Sequence, residues 1–290
     1  MNSRMSRWRL LLTNPITALS AGVLLVVAVI VVAAGALAPY GVNDINVPDA
    51  LQGPSPQHWF GTDELGRDVL SRVLVAVQAS MRIAVISVSF AAVVGVAVGL
   101  LAGYRGGWLD SVLMRIVDVM FAFPVLLLAL AVVAILGPGV TTTTLAIGIV
   151  FTPIFARVAR ASTLAVRTEP YVAASRTMGT GDLFILSHHV LPNISGPLIV
   201  QTSLSLAFAT LSEAALSFLG LGIQPPQPSL GRMIYDSQGF VTMAWWMAVF
   251  PGAAIFVIVL AFNLLGDGLR DVLDPKQRTL IEARRAGRAR

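Results

Sequence analysis

The sequence predicts an all-α, polytopic membrane protein with six transmembrane helices, and three observations carry that prediction. The chain has 290 residues, a mean hydropathy of +0.79 and only 12% charged residues, which is more apolar surface than one soluble core buries. Its apolar residues gather into six stretches, 16–38, 83–104, 112–136, 140–158, 197–220 and 244–265. Each is of the order needed to cross about 30 Å of hydrocarbon, which takes about 20 helical residues. Finally, sixteen of the 20 basic residues fall on one side of the bilayer if both termini lie inside, as retention of Lys and Arg in the cytoplasm requires.

The first stretch, 16–38, follows Arg4, Arg7 and Arg9 and ends at Ala36-Leu37-Ala38, which looks cleavable. Its apolar run exceeds the roughly 7–15 residues of a signal core, so an uncleaved span is predicted. The outer segment 39–82 opens with the turn-rich APYGVNDINVPDALQGPSPQ and closes with FGTDELGRDVLSRVLVAVQAS. There Asp63 is a candidate helix cap, with Glu64 in the first turn and Leu65, Val69, Val73 and Val77 on one stripe. Two readings stand for it: a helix lying in the outer interface, or a gate or docking surface for an external partner.

In the second stretch Gly95, Gly99 and Gly103 form a row of small residues that predicts close helix packing. In the third, Arg115 and Asp118 at i, i+3 near the cytoplasmic end predict a local ion pair. The fourth is the shortest; Thr141 to Thr144 are expected at its outer end and a kink at Pro153. The fifth carries Glu213, placed about 22 Å along the helix from Leu198 at about 1.5 Å per residue. An ionised acid near mid-membrane costs about 2.5–3.5 kcal/mol on insertion scales. It must therefore face a partner or a cavity, either as a hydrogen bond tying helices or as a pathway or gate residue.

Orientation follows from the arginines. The inner side takes Arg105, Arg115, Arg157, Arg160, Arg167, Arg176 and Arg270 together with the basic residues of both tails, and the outer side only Arg67, Arg72, Arg82 and Arg232. Trp59 outside, Trp108 inside, and Trp245 and Trp246 at the outer mouth of the last span suit interfacial aromatics. The chain thus divides into 1–82 (N-terminal tail, first span, external segment), a membrane core 83–266 that includes a cytoplasmic loop 168–193, and a basic cytoplasmic tail 267–290.

Several chemistries find no support. There is no cysteine, which excludes disulfides and thiolate metal sites. The only lysine, Lys276, follows Pro275, so no phosphate-cradling G-x-x-x-x-G-K-[ST] loop exists here. The histidines are His58, His188 and His189, without an H-E-x-x-H helix, and no G-x-S-x-G elbow occurs. The net charge of +5 is topological, and no nucleic-acid partner is expected. An ion-coupled secondary transporter is the rival class, because its ionisable residues would line the path; Arg115, Asp118 and Glu213 are the candidates.

The loop YVAASRTMGTGDLFILSHHVLPN, residues 171–193, is polar and punctuated by glycine. Pro170 suits a first helical position, Gly179 a left-handed C-terminal cap, and Asp182 the cap of a second short helix ending before Pro192. Tyr171, Ala174, Ser175 and Met178 recur at i, i+3, i+4 and i+7 as a small-residue face with bulky ends, while Arg176 points elsewhere. Such a face fits either a groove on another protein or the chain's own bundle.

This loop resembles the EAA loop of ABC-importer permeases, in which E-A-A is followed after three residues by glycine and after nine more by I-x-L-P. Ala173-Ala174-Ser175, Gly179 and His189-Val190-Leu191-Pro192 take those places, without the acid or the isoleucine. FGTDELGRDVLSR (60–72), SEAALSFLGLGIQPPQPSLGRMI (212–234) and NLLGDGLRDVLDPK (263–276) are similar to the C-type permease subunit of dipeptide, oligopeptide and nickel importers, except for Leu230 where that family carries tryptophan. The resemblance implies a type I ABC-importer transmembrane domain in the bacterial inner membrane that performs no chemistry itself. It implies a heterodimer with a B-type permease, two ATPase subunits that hold ATP and Mg, and an extracytoplasmic substrate-binding protein. The implied ATPase-coupling residues are Tyr171, Ala174, Ser175, Arg176, Met178, Gly179, Asp182 and Pro192, with peptides as cargo and nickel or another small solute as the alternative.

Overall fold

The computed structural model describes residues 15–273; the expected basic tails before and after these lie outside the described residues. Among the described residues no strand forms, and the helices run in the order α1 (Pro15–Leu37), α2 (Val69–Arg105), α3 (Gly107–Phe121), α4 (Val125–Leu136), α5 (Val140–Val166), α6 (Pro170–Thr177), α7 (Asp182–Phe218), α8 (Leu230–Asp236) and α9 (Trp246–Leu273). Five of them, α1, α2, α5, α7 and α9, are each long and apolar enough to cross a membrane.

The third predicted span is realised differently. Helices α3 and α4 meet at 91° and qualify as a span only together. The break falls at 122–124 because Pro124 disfavours helical geometry at Phe123 and has no N–H to continue the ladder. On α3, Asp110 and Asp118 meet Arg160 and Arg157 of α5. The expected Arg115–Asp118 pair is therefore not formed. Asp118 accepts instead from Arg157 Nη2 at 2.7 Å, and that guanidinium also lies 4.0 Å over the Phe121 ring.

The expected interfacial helix capped by Asp63 is also absent. Asp63 closes a turn, accepting from the backbone N–H groups of Leu65 and Arg67. The cap is Asp68, whose Oδ2 accepts from the Ser71 N–H and hydroxyl at 2.8 Å. Helix α2 then runs 37 residues without interruption, about 55 Å at 1.5 Å per residue, so the predicted stripe from Val69 onward and the second span are one rod, with Leu65 left in the turn before it.

Helices α2 and α5 form the centre of the fold. Backbones approach so closely that a Cβ on Gly95 would stand 2.5 Å from the Thr152 carbonyl oxygen, and one on Gly99 would overlap the Ala156 carbonyl; only glycine admits this contact. Around the pair, α7 and α9 close a core that includes Val88, Ile147, Phe155, Leu216 and Ile258, with Leu230 of α8 fully buried in it. Helix α5 continues through Pro153 to Val166, well beyond the predicted end. The fold has two polar faces: a loop face, bearing α6 and the α2–α3 turn, and an opposite face, bearing residues 39–68 and 219–245.

Candidate functional site: the α6 loop

On the loop face, Pro170 opens α6 as expected, with Glu169 in extended geometry before it. The helix stops by a double hydrogen bond: Thr180 N–H reaches the Ser175 carbonyl and Gly179 N–H the Arg176 carbonyl, at 3.1 and 3.0 Å. This Schellman geometry needs a left-handed residue, and Gly179 has φ +76°.

The two faces of α6 are sharply different. Val172 and Ser175 point inward, Val172 against a cluster that includes Ile185, Val190 and Ile194. Tyr171, Ala174 and Met178 point outward, Met178 with 76% of its surface free. The expected four-residue face is thus corrected at Ser175, whose i, i+3 relation to Val172 places it on the buried side. Its hydroxyl donates to the Tyr171 carbonyl and lies 3.2 Å from His189 Nε2. Partial desolvation, with the Glu169 carboxylate adding to it, pushes the Tyr171 phenol up. The outward stripe continues past the turn in Leu183 and Phe184, both exposed. These two were missed in the sequence, although an adjacent Leu-Phe after the glycine break was a legible sign.

Arg176 and Asp182 leave the stripe for another contact. The Arg176 guanidinium lies 4.6 Å over the Tyr104 ring and its Nε donates to the Tyr104 hydroxyl at 3.3 Å. That hydroxyl donates to Asp182 Oδ1 at 3.0 Å, and Arg105 stands 3.4 Å from the other oxygen. Asp182 is accordingly no cap: Gly181 occupies the cap position and Asp182 the first turn, where its charge still suits the helix dipole. The expected second short helix does not end before Pro192 either. Residues Ile185–Val190 widen into a π-helical turn and α7 carries on to Phe218. The wide turn accommodates Pro192, which cannot bond back along an α-helical ladder. His188 stacks on Phe184 with ring centroids 4.1 Å apart, and among the described residues no three His, Asp or Glu groups are placed to hold a metal.

At the opposite face, residues 39–68 are folded down onto the helix ends. Trp246 Nε1 donates to the Thr62 carbonyl at 2.9 Å, Phe60 stacks on Phe250, and His58 Nδ1 lies 2.9 Å from Asp68. A narrow cleft between this segment and α8 is lined by Asp63, Glu64, Arg67, Arg72 and Asp236. Burial there raises the Glu64 pKa. Glu213 lies five residues before the end of α7, about 8 Å from it, because the helix stops at Phe218. Its side chain has no exposed surface. Ser217 Oγ donates to Glu213 Oε1 at 2.7 Å and accepts from Ile223 N–H at 3.2 Å. The Ser80 hydroxyl of α2 is its other polar neighbour, though neither Ser80 Oγ nor Glu213 Oε2 meets hydrogen-bond geometry with any partner.

Comparison with known proteins places this architecture. Residues 95–279, which include the α6 loop and Glu213, match the family described as binding-protein-dependent transport system inner membrane component. The chain is 45% identical over 236 residues to the dipeptide transport system permease protein DppC of Alkalihalophilus pseudofirmus, covering 81% of this chain and 78% of that one. It is 43% identical over 270 residues to the glutathione transport system permease protein GsiD of Pectobacterium atrosepticum, covering 93% and 90%. Among solved structures, an inward-facing conformation of the MetNI methionine ABC transporter aligns with a TM-score of 0.59 at 19% identity, over 70% of this chain and 96% of that one, a likeness of fold. The chain therefore belongs to the family of inner-membrane components of binding-protein-dependent transport systems, as a multi-pass permease.

Proposed function

We propose that this permease forms half of a translocation pathway for di- and oligopeptides, paired with a paralogous B-type subunit, energised by two ATPase subunits at the loop face and supplied by a binding protein at the opposite face. The observation that carries the proposal is the outward stripe of Tyr171, Ala174 and Met178 on a helix that is fixed at its end and along its back. An apolar stripe on a rigid short helix fits a groove in a partner, and a rigid helix transmits the partner's movement into the spans. The loop face is then cytoplasmic and both termini lie inside. Small peptides are favoured as cargo because both relatives above are named for them. Glu213 is assigned a helix-tying role in this proposal, since its carboxyl is enclosed between α2, α7 and the segment that follows α7.

The deciding experiment reconstitutes the chain with its co-purifying permease, ATPases and binding protein in liposomes and compares uptake of a labelled dipeptide, glutathione and nickel. ATP-dependent dipeptide uptake that requires the binding protein is expected. Uptake of nickel alone would overturn the cargo, and uptake without ATP would overturn the importer reading.

A further inference from the structure

We infer that Tyr104 is the positioning residue that clips both halves of the α6 loop to helix α2, and that α2 carries the loop's displacement to the opposite face as one strut. The inference rests on the reading of the loop as the ATPase contact. Tyr104 is the penultimate residue of α2 and only 5% exposed. Its hydroxyl works in both directions, receiving from Arg176 Nε and giving to Asp182 Oδ1. Those partners come from opposite sides of the Gly179 break, Arg176 from α6 and Asp182 from α7. One oxygen thereby spans a turn that two backbone hydrogen bonds alone would leave as a hinge. The ring supplies the second hold: it lies under the Arg176 guanidinium and packs in the cluster that contains Val172 and Ile185.

What Tyr104 holds is then joined to a helix with no internal hinge. Of the long helices meeting the loop, α5 contains Pro153 and α7 contains Pro192 and Pro197, whereas α2 has no proline in its 37 residues. Interior proline removes a ladder bond and is where helices bend. The far end of α2 is equally tied: Asp68 caps it while meeting His58, and Arg72 donates to the Val42 carbonyl at 3.0 Å. A displacement of α6 therefore reaches residues 39–72 through one uninterrupted element.

The test is Tyr104→Phe in the reconstituted complex, which keeps the ring, its burial and the Arg176 stacking but removes the hydroxyl. Hydrogen exchange of the amides 171–185, measured before any binding protein is added, should speed up roughly threefold or more, the effect of losing the two hydrogen bonds of the Tyr104 hydroxyl, while amides 80–100 are unchanged. Stimulation of ATP hydrolysis by substrate-loaded binding protein should fall roughly fivefold or more, with the ATPase still retained on purification. Asp182→Ala, which removes the acceptor, should behave alike, and the double variant should lose clearly less than the sum of the two, since both remove the Tyr104–Asp182 contact. Unchanged loop exchange would overturn the positioning role. Loosened exchange with full stimulation, or additive losses in the double variant, would overturn the strut. Loosened exchange in a complex whose wild type is never stimulated would instead count against the importer reading and leave the clip standing.

Discussion

Arg160 grips Asp110 with two parallel bonds, Nε to Oδ1 at 2.5 Å and Nη2 to Oδ2 at 2.7 Å, and so pins α3 across α5. The neighbouring pair of Arg157 and Asp118 joins the same helices with one bond at a site where both side chains are half exposed. Bidentate geometry with Asp110 only 16% exposed is the stronger case, though Arg160, a third exposed, keeps it below the range of fully buried pairs. Asp110→Ala should therefore cost about 1–2 kcal/mol and Asp118→Ala less than about 1 kcal/mol. Thermal unfolding in detergent checks the order; equal losses, or the reverse order, would contradict it.

Orientation is open to direct labelling, because the chain has no cysteine. Gln57 and Gln238 are exposed on the opposite face and Ser187 on the loop face. Single cysteines at Gln57 and Gln238 should react with an impermeant maleimide on intact cells, and one at Ser187 only after the membrane is opened. Reaction of Ser187→Cys from outside would invert the proposed topology.

What the sequence made legible divides by cause. Hydropathy and a single backbone requirement were enough for most spans, for Pro170 at the start of α6 and for the positive φ of Gly179, because each is a local property. The failures involve partners distant in the chain. Asp182 has the residue type and the place of a cap, yet Tyr104, 78 residues away, takes its carboxylate. Ser175 fits an outward stripe by spacing, but the inward direction of α6 is set by the Ile185 and Val190 side chains it must cover. The bend at Pro124 is the exception: proline was visible, and the apolar run around it concealed the break.

Glu213 supplies the next prediction. Enclosed with Ser217 and Ser80, it needs hydrogen bonding more than charge to tie α2, α7 and the segment 219–223. Glu213→Gln should leave uptake and subunit yield near wild type. Glu213→Leu strips the acceptor from a buried hydroxyl and should cost about 1–3 kcal/mol, visible as lower yield of the assembled complex. Normal yield with depressed uptake in Glu213→Gln would move the carboxylate onto the translocation pathway instead.

The α6 loop yields the most discriminating pair of variants. Gly179 has φ +76° with open space around the position a Cβ would take, so Gly179→Val meets no clash and acts through the backbone alone. A β-branched residue is a poor occupant of that region, at a cost of about 1–3 kcal/mol, and the Schellman bonds from Gly179 and Thr180 should open. The spans are set by hydrophobicity and should still insert. Ala174→Arg attacks the same proposed contact without touching the backbone, since Ala174 is exposed in the middle of the outward stripe and a long charged side chain there would hold the proposed ATPase partner off. Both variants should reach the membrane and keep the partner permease, yet lose stimulated ATP hydrolysis. They should differ in hydrogen exchange: amides 176–182 accelerate in Gly179→Val and stay protected in Ala174→Arg. Arg176→Ala, on the face turned to Tyr104, should retain the ATPase on purification while weakening stimulation. Wild-type stimulation in both Gly179→Val and Ala174→Arg would make this segment an ordinary inner loop and remove the groove contact from the mechanism.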